Sequence, residues 1–407
     1  VSAWWRRWRT ALLAGLVLGV LFGVVEGFSI FYTAFVVDLR LDAADASGMY
    51  ATYLLASLVA APAAGRVVAR VGARRVIAVM FPAFAVAVSA CAVLESLWQF
   101  YLIYVLVLAT ATTMLVVASQ VLITASYDRD RGKATGIAYA CLGIGDFVLF
   151  TVLGSVVQEF GWRSGYLVGG GFALLGAAVF VWMSRGVGEA APERAAEPAV
   201  EAEERPRKLP LANPVLWLAC AAALTASVTD FFTFQTIVPY LASEGWGTSL
   251  SGFLLGLTGL SYAAGQLAGG AISDRWSREL VAAGGAAVFV VGLVVLWVLP
   301  ALPLLVGTIV LLGFAVGAIV GCRVAAVGDL FAGPGLSRVT GLVQVASAIG
   351  SAFATWLGGL SYSLNGDYAL SFVVAGCCAG VWVVTLTLAA PRRARRESLR
   401  RTEPAVV

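Results

Sequence analysis

The chain has 407 residues, 60% of them hydrophobic and 12% charged, with a net charge of +4 and no histidine. Its mean hydropathy is +0.90. So apolar a composition lies outside the range of soluble globular domains and identifies an integral membrane protein, while the lack of histidine excludes His-dependent metal and triad chemistry.

Crossing a hydrocarbon core of about 30 Å takes roughly 20 apolar residues in a helix, because each backbone amide must be satisfied within its own segment. Twelve runs meet that demand, so the expected fold is all-α, with twelve transmembrane helices. The first, 11–37, holds the acid of VEGFSIFY; Glu26, Ser29 and Thr33 stand at i, i+3 and i+7 and predict a polar stripe on one face. Runs 48–69 and 76–95 flank a basic connection, and 98–126 leads to 134–157, which contains Asp146, and to 163–184. The interval 186–213, rich in Ala, Glu, Pro and Arg, has no apolar face to bury and predicts a linker.

The seventh run, 214–241, repeats the opening oddity: Asp230 lies in TDFFTFQ, with Thr233 and Ile237 at the same spacing. Runs 250–273 and 280–299 precede 302–327, where Arg323 is the one cation well inside a predicted span. Runs 339–361 and 368–390 follow, and residues 391–407 form a basic tail. The strict alternation of a β-barrel is absent, and the first run is too long for a cleaved signal peptide.

The two halves are copies. Glu26 and Ser47-Gly48 recur at one constant offset as Asp230 and Ser251-Gly252. One residue of slippage then aligns Gly65 with Gly270, KATG from Lys133 with RVTG from Arg338, Ile144-Gly145 with Ile349-Gly350, and Phe160-Gly161 with Asn365-Gly366. Duplicated six-helix bundles are expected at 1–185 and 214–390, with a working site near the bilayer midplane.

Basic residues concentrate on one side. Arg6, Arg7, Arg9, the Arg70 to Arg75 cluster, Arg129 to Lys133, Arg275, Arg278, Arg338 and the tail share it, against Arg40 and Arg163 opposite. The positive-inside rule then places both termini in the cytoplasm of a multi-pass protein of the cell membrane, and the net charge reports topology rather than a nucleic-acid partner. The tail can also meet anionic lipid head groups.

These residues resemble a known family. GRVVARVGARR, from Gly65 to Arg75, is similar to the major facilitator superfamily loop pattern G-x-x-x-D-R-x-G-x-R-R, with Ala69 in place of the acid, and GAISDRWSR keeps the pair as Asp274-Arg275. RGKATGIAYACLGIGDFVL, FGWRSGYLVGG and GDLFAGPGLSRVTGL resemble the monocarboxylate and oxalate/formate transporter branch. The branch's Arg of the eighth helix and the oxalate exchangers' Lys of the eleventh are missing here, as is the Pro-containing glycine motif of drug/proton antiporters in the fifth.

The resemblance implies a secondary transporter, not an enzyme, working by alternating access on a small organic anion, monocarboxylate-like and proton-coupled. Two alternatives stand beside it: a proton-driven exporter of cationic or amphipathic compounds, and a membrane sensor or assembly subunit that does not translocate. The candidate solute or proton pathway comprises Glu26, Ser29, Thr33, Asp146, Asp230, Thr233 and Arg323, since an ionisable group inside a span marks function by default. For Asp146, gating, proton coupling and structural pairing remain open. For Arg323 the choices are anchoring an anion, pairing with Asp329, or snorkelling to the cytoplasm. Gly65, Arg70, Gly72, Arg74, Arg75, Gly270, Asp274, Arg275 and Arg278 form the candidate cytoplasmic gate, its glycines permitting tight turns. No metal or other cofactor is expected; the partners are a small molecule, protons and the bilayer, and the chain is expected to work as a monomer.

Overall fold

A computed structural model describes residues 3–127, 130–185, 213–298, 302–331 and 336–389. Most of the linker and the basic tail therefore lie outside the described residues, as does the side chain of Asp274.

Every element among the described residues is helical. The first apolar run is two helices, α1 (Ala3–Val25) and α2 (Phe28–Asp38), interrupted at Glu26-Gly27. They are followed by α3 (Ala43–Val71), α4 (Ala73–Ala90), α5 (Leu97–Tyr101) and α6 (Ala109–Ser126), the last two joined by a π-helical turn. Next comes α7 (Arg131–Ser184), whose 54 residues would reach about 80 Å if straight, far beyond one bilayer. It folds back at Gly161, with φ 82° and ψ 166°, and so makes two crossings.

The seventh run is also divided, into α8 (Pro214–Gln235) and α9 (Ile237–Ser243) around Thr236. Then follow α10 (Thr248–Arg275), α11 (Arg278–Val298), α12 (Leu302–Leu330), α13 (Leu336–Asn365) and α14 (Ala369–Ala389). Ten stretches among the described residues are long and apolar enough to cross a membrane. With Gly132–Ser184 counted as two crossings and α10 added, the helices are consistent with the twelve runs.

Local backbone geometry repeats with the sequence. In the turn after α2 the amide of Leu41 donates to Val36 O at 3.0 Å, and after α9 Trp246 donates to Leu241 O at 2.9 Å. Between donor and acceptor each turn has one residue of positive φ, Arg40 at 50° and Gly245 at 85°. This is the six-to-one closure that ends helices, and Arg40 adopts a left-handed conformation that favours glycine. The aligned pair Gly161 and Gly366 likewise share positive φ, 82° and 73°.

The chain forms two compact units. The first contains residues 1–204, 234–260 and 355–368; the second contains 205–233, 261–354 and 369–407. Aromatic packing fills the first, with Phe31 stacked on Tyr166 at 4.2 Å, Phe28 on Tyr50 at 4.6 Å and Phe35 on Phe100 at 5.3 Å. Inside it α1 and α7 nearly touch: a Cβ added at Gly145 would lie 2.6 Å from the Cα of Gly19, so only glycine permits this approach. The second unit packs Phe232 edge-on to Phe372 at 5.0 Å. It brings α10 onto α12, where a Cβ at Gly269 would come 2.5 Å from Ala318. Large apolar side chains such as Val59, Val79, Leu174 and Val291 are exposed, as lipid-facing surfaces require.

Candidate functional site

In the first unit, the break after Val25 puts Glu26 where helical hydrogen bonding lapses. The Glu26 amide still donates to Phe22 O at 2.8 Å, but Glu26 O accepts from Gln235 Nε2 at 3.1 Å. Ser29, fully buried, donates to Phe234 O at 2.9 Å, and Thr33 turns back to Ile30 O at 3.4 Å. The stripe expected of Glu26, Ser29 and Thr33 therefore does not run along one continuous helix. The Ser29 hydroxyl satisfies a backbone carbonyl near the second break, as irregular segments inside a membrane require, whereas Thr33 makes a local bond within α2.

Asp146 lies on the first arm of α7 and is 1% exposed. Its Oδ1 has no hydrogen-bond partner. Glu26 is within electrostatic reach of it, and also of Tyr50 and Tyr53 on α3. Two acids and two phenols thus gather in this unit.

The second unit pairs opposite charges. Arg323 on α12 points among neighbouring helices: Nη1 donates to Ser227 Oγ on α8 at 2.8 Å, to Ser347 Oγ on α13 at 3.0 Å and to Ala223 O at 3.3 Å. Its Nε and Nη2 donate to no acceptor among the described residues. Asp230, one turn beyond Ser227, lies within electrostatic reach of the guanidinium, as does Tyr262 on α10. Of the choices left open by the sequence, pairing with Asp329 does not occur, because Asp329 is bound to Arg278 at 2.9 Å. Thr233 is buried and bonded to Thr229 O at 2.8 Å, within its own helix.

The basic motifs are distributed differently from the expected loop. Gly72, with φ 94°, is the whole connection between α3 and α4 and does require glycine. Gly65 and Gly270 sit inside α3 and α10, where an added Cβ would meet nothing within 4 Å, so they form no turn. Arg70, Arg75 and Arg275 are exposed, while Arg74 Nε donates to Ser184 Oγ at 3.3 Å. Arg278 is buried, held by Asp329 and by Ser273 Oγ. Asp274 belongs to α10, its side chain lying outside the described residues.

Sequence reasoning missed Gln235, Ser227 and Ser347. Ser227 was signalled by its i−3 position from Asp230; nothing marked the other two. Among the described residues no three His, Cys, Asp or Glu side chains converge as a metal site, and the cysteines there are free.

A duplicated array of membrane-crossing helices with ionisable groups inside each unit defines a multi-pass membrane protein. The sequence pattern of the Major Facilitator Superfamily matches residues 11–234 and again 221–406, and the chain belongs to that family. It is 23% identical to monocarboxylate transporter 13 of Bos taurus over 382 residues, 91% of this chain and 86% of that one. Monocarboxylate transporter 12 of Xenopus laevis is 25% identical over 279 residues, 61% of this chain and 59% of its own. Among solved structures, a bacterial homologue of the human lysosomal transporter Spinster, inward-facing and occupied, superposes with a TM-score of 0.67 at 15% identity. It covers 98% of this chain and 99% of its own. That likeness bears on the fold alone.

Proposed function

We propose that the protein is a secondary active transporter moving a small, monocarboxylate-like organic anion together with protons by alternating access. The observation that carries the reading is Arg323. Its Nη1 is fixed by two hydroxyls and a carbonyl, and its remaining donors are unclaimed among the described residues. A planar guanidinium held in this way offers a carboxylate parallel N–H donors, and Asp230 competes with the solute for the same positive charge. Protonation of Asp230 removes that competition, so solute and proton bind together; deprotonation after the site changes access expels the anion. Glu26, at a helix break in the other unit, is the second candidate proton carrier. The relatives named as monocarboxylate transporters support the same solute class.

The basic helix ends belong in this reading to the cytoplasmic face of the cell membrane, where the exposed Arg70, Arg75 and Arg275 make contacts present in one access state only. Glu26 and Asp146 in the first unit favour a second reading, expulsion of cationic or amphipathic compounds in exchange for protons, since they bring two acids within electrostatic reach of each other.

Solute counterflow in proteoliposomes separates the two. A panel of short carboxylates is expected to exchange and organic cations to be inert, with Arg323→Ala abolishing exchange. Exchange of cations that survives Arg323→Ala would overturn the anion reading. Glu26→Gln and Asp230→Asn are expected to reduce proton-driven uptake while sparing exchange; unchanged coupled uptake in both would remove them from the proton path.

A further inference from the structure

Asp146 has no assigned part in that mechanism, and its surroundings suggest one. The first arm of α7 and the first half of α10, both in the first unit, pack along a glycine seam. A Cβ at Gly252 would lie 2.5 Å from Phe150 O, one at Gly256 2.9 Å from Phe147 O, and one at Gly259 2.8 Å from the Cβ of Asp146. At one end the seam is polar: Ser155 and Ser249 share a 3.0 Å hydroxyl contact, and Gln158 accepts from the Ser249 amide at 2.8 Å. At the other end stands Asp146, buried, with Oδ1 unpartnered and a bare glycine opposite.

We propose that Asp146 is a proton-operated latch on this seam: the neutral acid lets α7 and α10 close, and the carboxylate forces them apart to admit water. The inference rests on the proton-coupled reading and adds to it a residue that links proton occupancy to helix separation. A carboxylate without a donor on one oxygen is poorly accommodated against a glycine face, because burial removes its hydration and supplies nothing in return. From the break between α1 and α2, the titratable group within electrostatic reach of Asp146 is Glu26, a like charge. Across the seam α10 presents Gly259, which cannot donate from a side chain. The neutral acid loses less hydration on burial and carries no charge to oppose Glu26. Because binding of the proton and closure of the seam favour each other, each drives the other by linkage.

The test reads the seam without any solute. Nitroxide amino acids are placed in the full chain at the exposed positions Glu159 on α7 and Glu244 just before α10, and inter-label distances are measured in nanodiscs across pH. The short-distance population is expected to grow as pH falls in the parent, to stay high at every pH in Asp146→Asn, and to titrate with a displaced midpoint in Glu26→Gln. Gly259→Ala, which crowds Asp146, is expected to lower the short-distance population throughout. A parent insensitive to pH, or an Asp146→Asn protein that titrates like the parent, overturns the latch. In proteoliposomes Asp146→Asn should lower pH-driven accumulation by about tenfold or more, the scale of a typical coupling between sites. Should no carboxylate be moved by any version, the solute reading fails, yet the pH-dependent distances still decide the latch on their own.

Discussion

The two units hold their ionisable groups in opposite ways. In the first, Glu26 and Asp146 are like charges within reach of each other, surrounded by phenols and glycine. In the second, Asp230 faces Arg323, whose guanidinium is tethered to hydroxyls on two further helices. Two acids sharing one site cannot both be ionised cheaply, which under the proposed mechanism suits the first unit to holding a proton, and an acid near a base suits the second to exchanging an anion. Duplication supplied equivalent acids at Glu26 and Asp230, and the halves diverged through what was placed beside each.

The largest expected effect comes from removing the base. Arg323→Gln removes the cation near Asp230 and leaves Ser227 and Ser347 without their shared donor; solute binding should weaken by about 100-fold or more, the scale for truncating one member of a hydrogen-bonded charge pair. Arg323→Lys should rescue little, since an ammonium lacks the planar fork. Adding Asp230→Asn to Arg323→Gln should restore thermal stability without restoring binding, because it removes the uncompensated acid but supplies no donor. Recovery of binding in the double variant, measured by solute-induced thermal shift, would place the anion elsewhere.

A smaller effect separates a charge pair that holds helices from one that serves a solute. Arg278 and Asp329 tie α11 to the end of α12 at 2.9 Å, with side-chain exposures of 6% and 19%. Arg278→Met should lower stability by about 2 to 3 kcal/mol, less than a fully buried pair because Asp329 keeps some water. The double variant Arg278→Met, Asp329→Leu should regain most of that loss in a detergent unfolding series. Solute affinity should stay unchanged in both, in contrast to Arg323.

Long apolar runs made the helical fold legible, since only a helix satisfies its own backbone in lipid, and the aligned repeats made the duplication legible. The interruptions at Glu26-Gly27 and Thr236 were not. Gly27 adopts φ −65° and ψ 3°, nothing that only glycine can do, and the breaks are accompanied by bonds from Gln235 and Ser29 between distant segments. Arg323 stood out as a cation among apolar residues. Its partners did not, because a serine in a helix more often bonds its own preceding turn, as Ser351 does to Ser347 O at 3.0 Å, than another helix. Asp146 was visible as a buried acid, but the glycine opposite it belongs to a segment more than a hundred residues later, and no local pattern announces that meeting.

The smallest expected effects lie at the basic end of the first unit, where the contacts are shared between a ring and an ion pair. Tyr127 stacks on Trp8 at 5.5 Å, donates to Arg7 O at 2.7 Å and accepts from the Ala11 amide at 3.3 Å. Asp130 meets the exposed Arg7, which holds its carboxyl below the usual range, with Lys133 adding to the shift. Tyr127→Phe keeps the stack and loses both hydrogen bonds, so about 1 kcal/mol of stability should go with it. Asp130→Asn should cost less, because an exposed pair is screened by water and salt. The sign with pH distinguishes them. A carboxyl lowered on folding stabilises the fold above its unfolded value near pH 4, and that contribution is lost as pH falls through its folded value. The gap between parent and Asp130→Asn should therefore close in acid, whereas the Tyr127→Phe gap should persist. Thermal midpoints recorded from neutral pH downwards test both, and an Asp130→Asn deficit independent of pH would mean that the ion pair is not its source.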